Sequence, residues 1–166
     1  NLYFYSYSFT KPQPNTIARK TNLYELDTKT NNVKKIKSFA SSVQIPIKAY
    51  DNYLFYSLAQ IEHNYANITN FGYGYTNSLY VYDTQEKTTK KLFTKPMLAF
   101  AVDQIESKTN ISGIYTTALE TEFGSEIWKF SNNKSELIGT TNYYISEIVA
   151  LKKGSFFVVA KSRSNA

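Results

Sequence analysis

The sequence has 166 residues, no cysteine and a formal net charge of +6; 19% of it is charged and 16% aromatic, with 15 Tyr and 11 Phe. That length allows one domain with a real core, taken to span 1–166, and the aromatic richness suits pleated, half-buried strands. The composition excludes disulfides, thiolate nucleophiles and cysteine-ligated metals, disorder driven by charge, and a membrane-crossing helix, since no run of about 18 apolar residues occurs.

In chain order, the opening "NLYFYSYSF" is aromatic at nearly every second position and predicts a strand. "TKPQPNTIARKT" (10–21) is a loop carrying Lys11, Arg19 and Lys20. "NLYELDTKTNNVKKI" (22–36) alternates, turns at "DTKTNN" and alternates again, which predicts a hairpin. "IPIKAYDNYLFYSLAQ" (45–60) predicts two strands about a "YDN" turn. The long stretch to residue 78 holds His63, Tyr65, Phe71, Tyr73 and Tyr75, with Gly72 and Gly74 interleaved. "SLYVYDTQEKTTKKL" (78–92) repeats the first hairpin, with Leu79 and Val81 on one face and Tyr80 and Tyr82 on the other. "LAFAVDQIESKTNISGIYTTALE" (98–120) predicts two strands with a longer connection. "SEIWKFSNNKSELI" (125–138) is the third copy of the hairpin, and "YISEIVALKKGSFFVVAKS" (144–162) the third copy of the strand pair. Its "FFVVA" has the unbroken apolar character of an inner, buried strand.

The anchors Leu23, Leu79 and Ile127 fall roughly 50 residues apart, and strand repeats of that period suggest propeller blades. Pairs and hairpins alternate, so one period holds four strands, numbered outward from the centre. The "FYS" of Phe4–Ser6 matches the "FYS" of Phe55–Ser57, so the chain is read as opening on a second strand. It then contains two whole blades (46–94 and 98–139), one blade lacking its first strand, and one lacking its last two. Such an arc of three to four blades leaves terminal edges bare. The chain is therefore expected to belong to a longer propeller or to pair with another chain, unless 144–151 docks beside the opening strand.

The "LYxxDT" strand, polar turn and "KKL" strand resemble the generic blades of bacterial β-propellers of the TolB-like and YVTN-like group. The resemblance implies an all-β fold of antiparallel four-stranded blades, with an antiparallel β-sandwich as the alternative. It implies no particular activity.

Candidate chemistry is sparse. His63 is the single histidine, no Gly-x-Ser-x-Gly elbow occurs, and neither a zinc set nor a calcium loop is present, so no catalytic residue, metal or cofactor is assigned. Glu120 and Glu122 lie two apart in "ALETEF" and read as a solvated loop. Asp27 and Asp83 follow strands singly and read as turn formers. The binding residues assigned are His63, Tyr65, Phe71, Tyr73 and Tyr75, joined by Arg19 and Phe123 from loops that a propeller places on the same face. Aromatic and basic side chains on Gly-containing loops suit stacking on a sugar or contact with a protein. Nucleic acid is disfavoured, because the lysines are scattered as pairs. The expected function is a non-catalytic module binding a protein or glycan, in a bacterial extracellular or cell-envelope setting. The alternative is part of a propeller hydrolase or lyase whose catalytic residues lie outside this chain.

Overall fold

The computed structural model describes residues 1–9, 19–39, 47–59, 76–119, 123–152 and 154–162. Among them are thirteen strands and no helix. The strands are β1 (Leu2–Phe9), β2 (Arg19–Asp27), β3 (Asn32–Phe39), β4 (Lys48–Tyr50), β5 (Tyr53–Ala59), β6 (Thr76–Asp83), β7 (Thr88–Pro96), β8 (Ala99–Ser107), β9 (Asn110–Ala118), β10 (Ser125–Ser131), β11 (Lys134–Thr141), β12 (Tyr144–Lys152) and β13 (Ser155–Lys161).

They form four antiparallel sheets in chain order: β1-β2-β3, β4-β5-β6-β7, β8-β9-β10-β11 and β12-β13. The two complete sheets are the two whole blades read from the repeat. The first sheet begins on a second strand, as "FYS" predicted. The 98–120 unit differs from expectation: β8 and β9 are joined by the tight turn Lys108–Thr109. What read as a long connection is strand, because Gln104, Ile105 and Ser107 continue the ladder past the apolar stretch.

Alternation decides which sheet each side chain meets. Leu79 and Val81 are buried with Phe55, Leu92, Phe93, Phe100, Tyr115 and Phe130 in the core between the second and third sheets. Tyr80 and Tyr82 point the other way, onto the core of Leu23, Phe39, Leu54 and Tyr56 between the first and second sheets. A third core, built on Ala101, Ile114, Ile145 and Ile148, joins the third sheet to the fourth. Each internal sheet is thus covered on both faces, the stacking expected of blades and not of a two-layer sandwich. Aromatic contacts cross these seams, with Phe93 and Phe130 ring centroids 5.2 Å apart and Phe39 and Tyr56 4.9 Å apart.

The turns have the chemistry their sequences carry. Asp27 accepts from the Lys29 amide at 2.9 Å, and Asp83 from the Gln85 and Glu86 amides at 2.9 and 3.0 Å. Those bonds favour the ionised carboxylate and hold Asp27 below the usual aspartate range. Asn31, Lys87 and Asn132 take a left-handed conformation in the three hairpin turns, and Gly154 takes it between β12 and β13.

A second repeated device accompanies each hairpin. The pairing of the third and fourth strands slips by one residue at Leu23/Tyr24, Leu79/Tyr80 and Ile127/Trp128. The extra residues of these bulges are Ile36, Leu92 and Ile138. Ile36 packs into the first core and Leu92 is buried in the second.

Two expectations fail at the ends of the series. Segment 144–151 does not dock on the opening strand: β12 pairs with β13, and β1 pairs with β2 alone among the described strands. β12 instead lies over β8 and β9, because Ile145 and Ile148 need the apolar face those strands offer. Nor is "FFVVA" a buried strand. β13 is the second strand of its sheet, and Phe157 is 56% exposed. An apolar run states a requirement for cover, and the fourth sheet has neither an outer neighbour nor a covered outer face among the described residues.

Candidate functional site

The strand order fixes two unlike ends of the stack. Strands run alternately up and down, so the strand ends that flank every second-to-third connection and every link between sheets lie at one end. The connections are residues 10–18, 60–75 and 119–124, and the links 40–47, 97–98 and 142–143. Among the described residues the opposite end holds only tight turns, at 28–31, 51–52, 84–87, 108–109 and 132–133, with Gly154 between β12 and β13. Contacts confirm the partition. At the turn end the Thr84 amide donates to the Asn52 carbonyl at 2.9 Å, the Gly154 amide to Asp103 at 2.9 Å, and Lys108 pairs with Glu86 at 3.2 Å. At the loop end the Leu98 amide donates to the Thr116 carbonyl at 2.8 Å, and the Ile145 amide to Ser125 Oγ at 2.9 Å.

Of the residues assigned from sequence, His63, Tyr65, Phe71, Tyr73 and Tyr75 lie in 60–75, outside the described residues, as do Glu120 and Glu122. β5, which precedes that stretch, ends at the loop end, and β6, which follows it, begins there. Arg19 opens β2 opposite Phe9, at the same end. Phe123 is half-buried there, its ring centroid 6.2 Å from that of Tyr144, so it bridges the third sheet to the first strand of the fourth. Burial pushes the Tyr144 phenol up.

Sequence reasoning missed a polar cluster on β9 and β10. Glu126 accepts from Thr117 Oγ1 at 2.7 Å and from the Trp128 indole N–H at 2.9 Å. Trp128 stacks on Tyr115, with 6.1 Å between centroids. The "EIW" spacing, which puts Glu126 and Trp128 on one face of a strand, was the available signal. The carboxylate is engaged by two donors and has no carboxylate partner among the described residues, so it acts as an anchor for the indole. Nearby, Asn77 donates to the Met97 carbonyl at 2.8 Å, while Asn77 Oδ1 and Thr116 Oγ1 are buried without a partner. Each such orphan costs about 1–3 kcal/mol.

The innermost strands also meet. Lys48 on β4 places its ammonium 5.7 Å from the Phe100 ring centroid on β8 and donates to the Ile148 carbonyl on β12. Burial holds this amine below the usual lysine range, and the Glu147 charge opposes the shift. Lys48 therefore ties three consecutive sheets together at their inner margin. No group of three or more histidine, aspartate or glutamate side chains able to hold a metal occurs among the described residues.

No protein-family model matches this sequence, and no curated protein matches it. Among solved structures, the Pyrococcus horikoshii acylaminoacyl peptidase (orthorhombic crystal form) is similar over 89% of this chain, with a TM-score of 0.54 and 12% identity. The chain spans 29% of that structure's length. Similarity at such identity concerns the fold: that peptidase has a β-propeller domain, and the present chain is propeller-like.

Proposed function

We propose that this chain is a non-catalytic propeller module that binds a protein or a glycan through its loop-bearing end. The observation that carries the reading is the segregation of connections: every connection longer than a tight turn leaves the same end of the stack. β5 ends and β6 begins at that end, flanking the aromatic-rich 60–75 segment, and Phe123 lies there too, against Tyr144. Aromatics grouped on a rigid sheet scaffold supply stacking area at low entropic cost. The remaining partner is another chain or further blades of a parent propeller, since β1 and β13 each have a single neighbour among the described strands. The setting proposed is extracellular or the cell envelope of a bacterium.

A second reading makes the chain part of a propeller enzyme whose catalytic groups lie elsewhere. The similarity to a peptidase structure of which it spans 29% favours including it. The two readings separate with the double variant Tyr73→Ala/Tyr75→Ala, assayed on an oligosaccharide array and a displayed-peptide library. The binding reading expects wild-type binding to at least one class, weakened at least tenfold in the variant with the unfolding midpoint unchanged. A stability loss of about 2–4 kcal/mol with binding intact would make those tyrosines core and end the proposal.

A further inference from the structure

The outer strands of the first three sheets differ in charge. β3 carries Lys34, Lys35 and Lys37, β7 carries Lys90, Lys91 and Lys95, and neither strand contains an aspartate or a glutamate. β11, the outer strand of the third sheet, balances Lys134 with Glu136. Lysine on an edge strand guards it against pairing with another chain, and a bulge does the same. All three strands are bulged against their neighbours, and β11 manages with a single lysine. Edge protection therefore leaves the surplus of positive charge on β3 and β7 without a reason.

The fold gathers that surplus. In the sequence the pairs at 34–35 and 90–91 lie far apart and read as scattered. In the structure they are equivalent: each immediately precedes the bulged residue of its strand, Ile36 or Leu92, with Lys35 opposite Tyr24 and Lys91 opposite Tyr80. They stand at the same height on neighbouring sheets, and stacked sheets lie about 10 Å apart. Lys37 Nζ on β3 donates to Thr89 Oγ1 on β7 at 2.8 Å, so one side chain spans the gap between the two outer strands. Lys34, Lys35, Lys91 and Lys95 are exposed and Lys90 is half-buried. Neighbouring carboxylates are engaged: Glu25, opposite Lys34, accepts from Asn1 Nδ2 at 2.6 Å and from the Tyr3 hydroxyl at 3.3 Å, and Glu86 pairs with Lys108. Among the described residues none of the six lysines of β3 and β7 has an ion-pair partner.

We propose that the adjoining outer edges of β3 and β7 form a binding surface for an acidic polysaccharide, a linear polymer carrying carboxylate or sulfate groups along its sugar units. Two separate lysine pairs favour a ligand with repeated charges over a small anion, because the second contact is made from an already tethered chain. Lysine offers a compact, mobile charge in place of arginine's planar fork, which suits anionic groups of varied orientation. Single-stranded nucleic acid calls for aromatic platforms between the basic groups. β3 and β7 present none, since Phe39 and Phe93 are buried. Duplex-binding surfaces that neutralise about 6–10 phosphates are broader than two strands flanked by the balanced β11. This surface lies along the outer rim and does not rest on ligand binding at the loop end.

Fluorescently labelled heparin, alginate, neutral dextran, and single-stranded and duplex DNA are titrated into the full 166-residue chain. The expected result is saturable binding of heparin and alginate at low salt, none of dextran, and binding of either DNA at least tenfold weaker. The variant Lys34→Gln/Lys35→Gln/Lys90→Gln/Lys91→Gln should bind both acidic polysaccharides at least tenfold more weakly, with a shallower salt dependence and an unmoved unfolding midpoint. The charge-matched control replaces the exposed Lys29, Lys129, Lys134 and Lys161 by Gln and should stay within threefold of the wild type. A second measurement needs no variant: bound heparin should slow acetylation of Lys34, Lys35, Lys90 and Lys91 at least fivefold more than that of Lys129 and Lys134. Four results would each overturn the proposal: no binding of heparin or alginate by the wild type, equal weakening in the two variants, DNA bound as tightly as the polysaccharides, or uniform protection of all these lysines.

Discussion

Replacing Gly113 by alanine probes how closely β9 is held between its neighbours. Gly113 pairs with Val102 on one side and Phe130 on the other. A Cβ there would sit 2.1 Å from the Ala101 carbonyl oxygen and 2.8 Å from two carbons of the Phe130 ring. The first contact is with backbone, so relief requires β8 and β9 to part within a buried ladder. The second pushes on Phe130, which packs against both Phe93 and Tyr115. Overpacking of this kind costs about 1–3 kcal/mol, and with two obstructions the upper part of that range is expected. Gly139→Ala is the control: it also lies in a strand, yet a Cβ there meets nothing within 4 Å. It should gain up to about 0.5–1 kcal/mol from reduced unfolded-state entropy. Urea midpoints at unchanged m-value measure both. If the two variants shift stability in the same direction, or Gly113→Ala changes it by less than about 0.5 kcal/mol, the third sheet is not packed as described.

Two further predictions follow from turn and burial chemistry. Lys87 holds φ at 56° where the equivalent turn has Asn31, so Lys87→Asn should stabilise the protein by about 0.5–1 kcal/mol, read as a higher thermal midpoint; a lower midpoint would contradict the turn assignment. Burial pushes the Tyr56 phenol to about 12 from its ordinary 10.0, and Thr89, hydrogen-bonded to it, tempers the shift. The folded state thus prefers the neutral phenol. That preference contributes fully below pH 10.0 and is lost as pH rises from there through about 12. The urea midpoint of Tyr56→Phe should therefore fall less steeply over this window than that of the wild type, and an equal slope would refute the assignment.

Much of the fold was legible because alternation states which face each residue takes. Leu79 and Val81 against Tyr80 and Tyr82 already implied a sheet covered twice, and the "FYS" match gave the phase of the blades. Asp27 and Asp83 announced their turns by type. The bulges were illegible: "KKI", "KKL" and "SELI" look like ordinary strand, and a slip in register exists only relative to the partner. The Lys48 bond to Ile148 joins residues 100 apart, which no local pattern encodes. "FFVVA" misled because an apolar run does not say whether its cover is present. Phe123 was singled out for its aromatic character, whereas the Glu126–Trp128 bond was passed over because a lone carboxylate beside an indole reads as ordinary strand.

Sheets stacked face to face in chain order bring the strand ends that flank the long connections to one end. A double-mutant cycle across the seam between the second and third sheets tests that stacking most directly. Phe93 on β7 and Phe130 on β10 touch across that seam and share no strand pairing. Phe93→Ala, Phe130→Ala and the double variant, compared by urea unfolding, should show a coupling of about 0.5–1.5 kcal/mol, the double variant losing that much less than the sum of the single losses. Strict additivity, within about 0.3 kcal/mol, would mean that the two rings do not meet and that the sheets are not stacked as blades.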